Sequence, residues 1–472
     1  MPCLVNPDDV RHSLTELPAA LDEPSRHHAR QQPLVGVYLA VFFFALSKGP
    51  IFQIRQRFSA VHGDFIDDHA VQAVFTLIYV AAFAMYRGAW STLRRCRALP
   101  LALGGLCLVL LASTLWSYAP WRTGQQAVMF TLGTAAAVLA GVRARPTTVV
   151  CALAASQQFG TLLGRWAIYR HWNGSLGTTG FWQGVYYNRN SYGMTATLAF
   201  ASTCAVGLLI ISRVSRMRRL GSLIIAGGLL VLSAGCIVVD IAVIRNTRSL
   251  TPTAGVVIAV IAAVVVAALP KGWRQRRYAP QVLTFACLAG GALGWQVALT
   301  LRDRFSRSIG RTPDLAGRTP IWSTLREYFW HRPIGGWGFF AVWLDPAIHK
   351  ELLTKTYDVF EAHTGYYEIA VGAGFLGILA LTAALATCVY CCSAAACRAN
   401  GFDRIWPIPV AVFVLAVNVT ETYIAANVLP WALLVVVSAG ALGSGDRQQR
   451  TRSASTQVRD RRRAPSRGSL TS

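Results

Sequence analysis

The chain has 472 residues, of which 54% are hydrophobic and only 14% charged, and its mean hydropathy is +0.41. A soluble chain carries about a quarter charged residues, so this composition excludes an ordinary soluble globular protein and points to an integral membrane protein. The net charge of +24 does not argue for a nucleic-acid partner. Much of the Arg lies in short clusters between apolar runs and in the C-terminal segment, which is the positive-inside pattern of membrane proteins and also suits anionic lipid headgroups.

Residues 1–33 are polar and rich in Pro, His and Arg, and are expected to form a disordered cytoplasmic tail. They are not a signal peptide, because the first apolar run starts too late and lacks a small-residue cleavage site. Twelve apolar runs follow, at about 34–51, 70–86, 99–115, 126–142, 147–163, 194–212, 220–240, 253–269, 280–300, 365–390, 405–423 and 427–443. Most approach the ~20 residues that a spanning helix needs. The fifth is interrupted by Gln157 and Gln158.

Basic residues follow every even-numbered run: Arg87, Arg94, Arg95 and Arg97, then Arg143 and Arg145, and so on to the tail at 444–472. Both termini are therefore expected to be cytoplasmic. The loops at 52–69, 116–125, 164–193, 241–252 and 301–364 then face outward. The 11 Cys fall in apolar runs or on the cytoplasmic side without metal-ligand spacing, and read as small apolar residues. The expected fold is an all-α polytopic membrane protein of about twelve transmembrane helices: nine within 34–300, a large extracytoplasmic loop with short helices at 301–364, three more helices within 365–443, and a basic disordered tail.

The large loop concentrates side chains suited to chemistry. Thr319-Pro320 offers a helix start, with a capping hydroxyl before proline. Ile321, Trp322, Leu325, Phe329 and Trp330 recur at helical spacing, which predicts an amphipathic helix at the membrane interface. Pro333 ends it, and Gly335-Gly336-Trp337-Gly338 forms a tight turn. Arg189 and Asn190 precede the sixth run, Arg245 and Arg248 follow the seventh, Arg318 opens the loop helix, and His363 precedes the tenth run. Guanidinium forks bind diphosphate bidentately, more strongly at low dielectric. A single Arg in such a place equally well snorkels to lipid headgroups, and a single His is readily an ordinary interfacial residue.

Four patches carry a resemblance to a known family: FWQGVYYNRNSYGMTATLAF, RNTRSLTPTAGVVIAV, AGRTPIWSTLREYFWHRPIGGWGFF and EAHTGYYEIAVGAGFLGILAL. Their order resembles that of the O-antigen ligase and O-antigen polymerase family of bacterial membrane proteins. Two positions depart from the family pattern: Thr364 stands where Asn usually follows the loop histidine, and Thr247-Arg248 stands for Ser-Arg. The resemblance implies a GT-C-like, metal-independent, inverting glycosyltransferase of cell-surface polysaccharide biosynthesis, in the bacterial cytoplasmic membrane and without a cofactor. The donor would be a glycan on undecaprenyl diphosphate, and the acceptor a lipid, a protein or another repeat unit. It implies catalytic roles for His363, Arg248 and Arg318, and substrate binding by Arg189, Asn190, Arg245, His331 and Trp337.

Two rivals remain at this stage. Asp64, Asp67 and Asp68, with His62 and His69, could hold a divalent ion for a metal-dependent lipid-phosphate-sugar transferase, although short acidic loops more often cap a helix. A transporter or flippase would suit twelve helices, but the two halves show no internal repeat. Glu368 and Glu421, at the ends of apolar runs, are either functional carboxylates or partners of an Arg.

Overall fold

The computed structural model describes residues 31–47, 49–51, 54–55, 68–86, 93, 97–177, 180–186, 188–214, 220–291, 318–355, 361–425 and 428–442. Among these residues the protein is almost wholly helical, with a single isolated bridge, Leu176 to Trp182, and no strand. Residues 1–30, the tail at 444–472 and the acidic stretch 56–67 lie outside the described residues, while residues 31–33, expected in the disordered tail, instead open the first helix, where the Gln32 amide donates to Arg143 O (3.0 Å).

Each of the twelve apolar runs holds a helix. They are α1 (Gln31–Ala45), α2 (His69–Met85), α3 (Ala98–Ala112), α4 (Pro120–Arg143), α5 (Pro146–Tyr169), α6 (Arg189–Val214), α7 (Leu220–Thr247), α8 (Leu250–Ala268) and α9 (Ala279–Gly291). After the insert, with α10 (Arg318–His331) and α11 (Pro346–Lys355), come α12 (Gly365–Arg398), α13 (Pro407–Val417) and α14 (Leu429–Leu442). Six helices are long and apolar enough to cross a membrane: α3 with its 3-10 extension to Trp116, α4, α6, α7, α8 and α12. The protein is thus an all-α multi-pass membrane protein. The other six runs do not reach that standard: α1, α2, α9, α13 and α14 are short, and α5 is interrupted by Gln157, Gln158 and Arg165.

In α5 the two glutamines serve packing. Gln157 exchanges hydrogen bonds with Ser47 beyond the end of α1, and the Gln158 amide donates to Thr203 of α6 and Asp240 of α7. Polar side chains in a bilayer must find partners within the protein, and these clamp neighbouring helices together. Accordingly α6 packs extensively on both α5 and α7. A second set of contacts joins α8 to α13 and α3 to α12. Deep in the core, the Trp431 indole donates to Thr134 (2.9 Å) and stacks on Phe130.

The insert has a hydrophobic core of its own, built from Ile321, Trp322, Leu325, Val342, Trp343, Ile348, Leu352, Ala362 and Val371. The apolar stripe expected to lie on the membrane is therefore largely turned inward: Ile321, Trp322 and Leu325 are buried, while Trp330 stays exposed. Each large buried side chain contributes about 1.5–3 kcal/mol, so the insert is a folded unit rather than a loose loop.

The turn at 333–338 docks into a break in α12. At Gly374 the backbone adopts φ 62°, interrupting the helix, and the insert satisfies the groups this frees. Phe375 N–H donates to Pro333 O (2.7 Å), Trp337 N–H to Val371 O (3.0 Å) and Gly338 N–H to Gly372 O (2.9 Å). Glycine is required here by both conformation and space. A Cβ on Gly374 would lie 2.3 Å from Ile334 O, and one on Gly336 would lie 2.5 Å from Val371 O. This docking fixes the insert against α12, and with it the segment that carries His363.

Candidate functional site

Four helices begin at one place. Arg189 is the first residue of α6, Arg318 the first of α10, and Leu250 and Gly365 open α8 and α12 just after Arg248 and His363. Side chains tie these ends together. The Asn190 amide donates to Glu421 Oε1 (2.9 Å), and the Ser249 hydroxyl donates to Asn190 Oδ1 (3.1 Å). Arg318 donates to the same Glu421 oxygen (2.7 Å), and Gly365 N–H donates to the Glu421 backbone carbonyl (3.1 Å). Glu421, in the link between α13 and α14, is thus the hub of the assembly, with its side chain only 3% exposed.

The three arginines expected to act together are brought together. Arg189 and Arg248 share one aromatic ring, with their guanidinium carbons 4.4 and 5.4 Å from the centroid of Phe181. Arg189 also lies within electrostatic reach of both Arg318 and Arg248. Phe181 is placed by the turn after α5, whose Trp182 N–H donates to Asn246 O at the end of α7. Such a ring holds two cations through its quadrupole while leaving their N–H donors free of it.

His363 stands beside this group. Its Nδ1 is 3.3 Å from Glu361 Oε1, and ligating atoms of Glu361, His363 and Glu421 all lie within 4.8 Å of one another. The segment is held rigidly. Ala362 N–H donates to Glu368 Oε2 (2.9 Å), Trp322 donates to Ala362 O (2.9 Å), and Trp343 donates to the other Glu368 oxygen. The Thr364 hydroxyl donates to Asn418 O (3.1 Å), so the threonine in place of the family's usual asparagine anchors the start of α12. Both His363 (φ 50°) and Arg248 (φ 48°) occupy the left-handed region, which non-glycine residues adopt at a cost and which clusters at functional sites. Burial pushes the Tyr423 phenol well above its ordinary range; Glu421 and Glu361 add to this, while Arg318 opposes it. That phenol stays protonated and is unsuited to act as a base.

Of the other expected site residues, Arg245 is exposed in the last turn of α7, where a cation complements the helix C-terminus. His331 closes α10, thirteen residues from Arg318 and so about 20 Å along the helix axis. Trp337 is committed to the docking turn: its indole donates to Tyr328 O (2.9 Å) and Arg332 lies over its ring. His331 and Trp337 are not brought into the group around Glu421, while Arg245 lies one turn before Arg248 at the same end of α7. Of the acidic first loop, Asp68 is described, and it caps α2 by accepting from Ala70 and Val71 N–H while pairing with Arg55. Sequence reasoning did not single out Phe181, Ser249 or Glu361. Only Glu361 gave a signal, standing two residues before His363.

Four positive helix ends and three guanidiniums meet at a site whose described carboxylates are Glu361 and Glu421, with the buried Glu368 engaged by Ala362 N–H and Trp343. An N-terminus acts as about half a positive charge, and it binds anions through unpaired N–H groups. The surplus is electropositive and suits a multiply charged anion such as a diphosphate. Residues 236–382, from mid-α7 to mid-α12, match the family model described as O-antigen ligase. This segment is similar to the O-antigen ligase family. No curated protein matches the chain. The matched segment contains Arg248, Arg318, Glu361 and His363, while Arg189 and Asn190 of α6 and Glu421 of the α13–α14 link join the site from outside it.

Proposed function

We propose that this protein transfers a glycan from a polyprenyl-diphosphate carrier, of the undecaprenyl type, to an acceptor hydroxyl at the outer face of the bacterial cytoplasmic membrane. The observation that carries the reading is the meeting of Arg189, Arg248 and Arg318 at four helix N-termini beside His363. A lipid diphosphate brings its tail into the bilayer and its phosphates to this level. The arginines bind the diphosphate and offset the charge that grows on it as it departs, an electrostatic role. His363 accepts the proton of the acceptor hydroxyl. The acceptor oxygen forms a bond to the anomeric carbon from the face opposite the leaving group. The bond from that carbon to the phosphate oxygen breaks, and its electron pair leaves with the diphosphate, so configuration inverts. The acceptor is a lipid, a protein or a second repeat unit, which sets ligase apart from polymerase.

The reaction needs no metal on this reading. Glu361, His363 and Glu421 have ligand spacing, but Glu421 is committed to Arg318 and Asn190, and nearby guanidiniums oppose a further cation. Transfer by purified protein is therefore expected to survive a chelator unchanged; loss on chelation that a divalent ion restores contradicts the metal-free reading. The test of function is glycan attachment in a strain lacking the protein, complemented with wild type, His363→Ala or Arg248→Ala at matched expression. Full-length polymer left on the carrier identifies a ligase, and single repeats without polymer identify a polymerase. Normal glycan with both variants overturns the site assignment.

A further inference from the structure

We propose that Glu361 is a positioning residue for His363: its carboxylate accepts a hydrogen bond from Nδ1–H of the imidazole, which keeps the proton on Nδ1 and leaves Nε2 as the basic nitrogen for the acceptor hydroxyl. This rests on the transfer reaction proposed above. The two carboxylates of the site divide the work. Glu421 Oε1 already accepts from Arg318 (2.7 Å) and Asn190 (2.9 Å), so it serves to brace the helix ends. Glu361 Oε1 stands 3.3 Å from His363 Nδ1. The pair stands at ion-pair distance without a formed hydrogen bond, and catalytic pairs of this kind often align only when substrate binds. The two residues flank Ala362, whose N–H and C=O are both bonded, to Glu368 and to Trp322, so the backbone that carries the pair has little freedom.

A neutral imidazole has two tautomers, and only one presents Nε2 as a base. A carboxylate at Nδ1 selects that tautomer, orients the ring and stabilises the imidazolium formed when the hydroxyl proton arrives. The charged groups around His363 on other elements are Glu421 with Arg318 bonded to it, the buried Glu368 bonded to neighbouring Ala362, and Arg189 and Arg248 near Arg318, while the Tyr423 phenol lies within electrostatic reach of Glu361 and Glu421. The cations disfavour imidazolium, and Glu361 is the carboxylate that stands at Nδ1 to oppose them.

The experiment uses the full chain in lipid nanodiscs, with wild type, Glu361→Gln, Glu361→Asp and His363→Gln. The first readout needs no turnover: the ¹⁵N resonances of His363, assigned by their loss in His363→Gln, report the tautomer. Wild type is expected to hold the proton on Nδ1, and Glu361→Gln to populate both tautomers. The second readout is the pH profile of transfer. Glu361→Gln is expected to lower kcat about 10- to 100-fold, leave KM for the donor within about twofold, and move the acidic limb about one pH unit lower, because loss of an adjacent anion disfavours imidazolium. Glu361→Asp, which keeps the charge, is expected to recover part of kcat and the wild-type limb. An unchanged tautomer in Glu361→Gln overturns the proposal. A changed tautomer with wild-type kcat and limb leaves the positioning intact and overturns the basic role of His363, which belongs to the reaction proposed above.

Discussion

The two ends of α8 carry arginines with opposite surroundings. At its C-terminus, Arg404 donates to the carbonyls of Val266 (2.8 Å) and Ala267 (2.5 Å), groups that a helix end leaves without partners. A cation there is stabilised by the helix dipole. About 28 Å away, Arg248 stands just before the N-terminus of the same helix, where the dipole opposes a cation. It is accompanied by Arg189 and Arg318, each on the first residue of another helix. Both ends hold more than one guanidinium, Arg274 standing near Arg404, but at the C-terminal end the helix carbonyls accept from the cation, whereas at the N-terminal end the dipole opposes the cations and a bound anion would relieve them. Arginine content alone does not distinguish a snorkelling or capping arginine from a binding one; the polarity of the helix end beside it does.

A third group, buried between α5, α6 and α7, sharpens the contrast. Asp240 is fully buried and accepts from Gln158, which also donates to Thr203. An intramembrane carboxylate invites a functional reading by default. Here its recorded partners are neutral side chains of neighbouring helices, and it ties those helices together.

The largest expected effect on this comparison is at the positive end. Arg248→Ala should reduce transfer by about 10²- to 10³-fold while thermal stability holds, because the arginine acts on charge that develops in the reaction. Gly374→Ala should lower stability by at least about 2 kcal/mol, as its methyl meets the Ile334 carbonyl and its φ is unfavourable for alanine. Intrinsic tryptophan fluorescence on heating would read this as a lower Tm, and transfer should fall only in proportion to folded protein. Asp240→Ala should cost about 1–3 kcal/mol, the penalty for stripping a buried hydrogen-bond partner, with unchanged turnover per folded molecule. A loss of turnover without loss of stability would move Asp240 from the structural side of the comparison to the functional side. The smallest effect is expected from Arg404→Ala, about 0.3–1 kcal/mol from an exposed helix end, with full activity.

Much of the fold was legible in the sequence because a bilayer permits few solutions. Apolar runs must become helices, and all twelve hold one, although α13 covers only 11 residues of a longer run. The interruption of α5 by two glutamines was legible as an anomaly, but its resolution was not. Ser47, Thr203 and Asp240 lie 110, 45 and 82 residues from their glutamine partners, and no single sequence records such contacts. The inward turn of the α10 stripe was hidden for the same reason: periodicity shows that a face is apolar, not what covers it. Within the site, Arg189, Arg248, Arg318 and His363 could be read from their places at run ends, where chain topology gathers them. Glu421 was visible as a carboxylate but not as the hub linking Asn190 to Arg318. His331 and Trp337 lay close to Arg318 in sequence, but the length of α10 carries them away from it.

The central claim is that the N-terminal end of α8 is a diphosphate site and its C-terminal end is not. The most direct measurement is binding of a short-chain polyprenyl diphosphate and the matching monophosphate to the protein in nanodiscs, with wild type, Arg248→Ala and Arg404→Ala compared. The account expects wild type and Arg404→Ala to bind the diphosphate at least about tenfold more tightly than the monophosphate, with that preference lost in Arg248→Ala. Equal affinity for the two lipids in wild type, or the same loss in both variants, would contradict it.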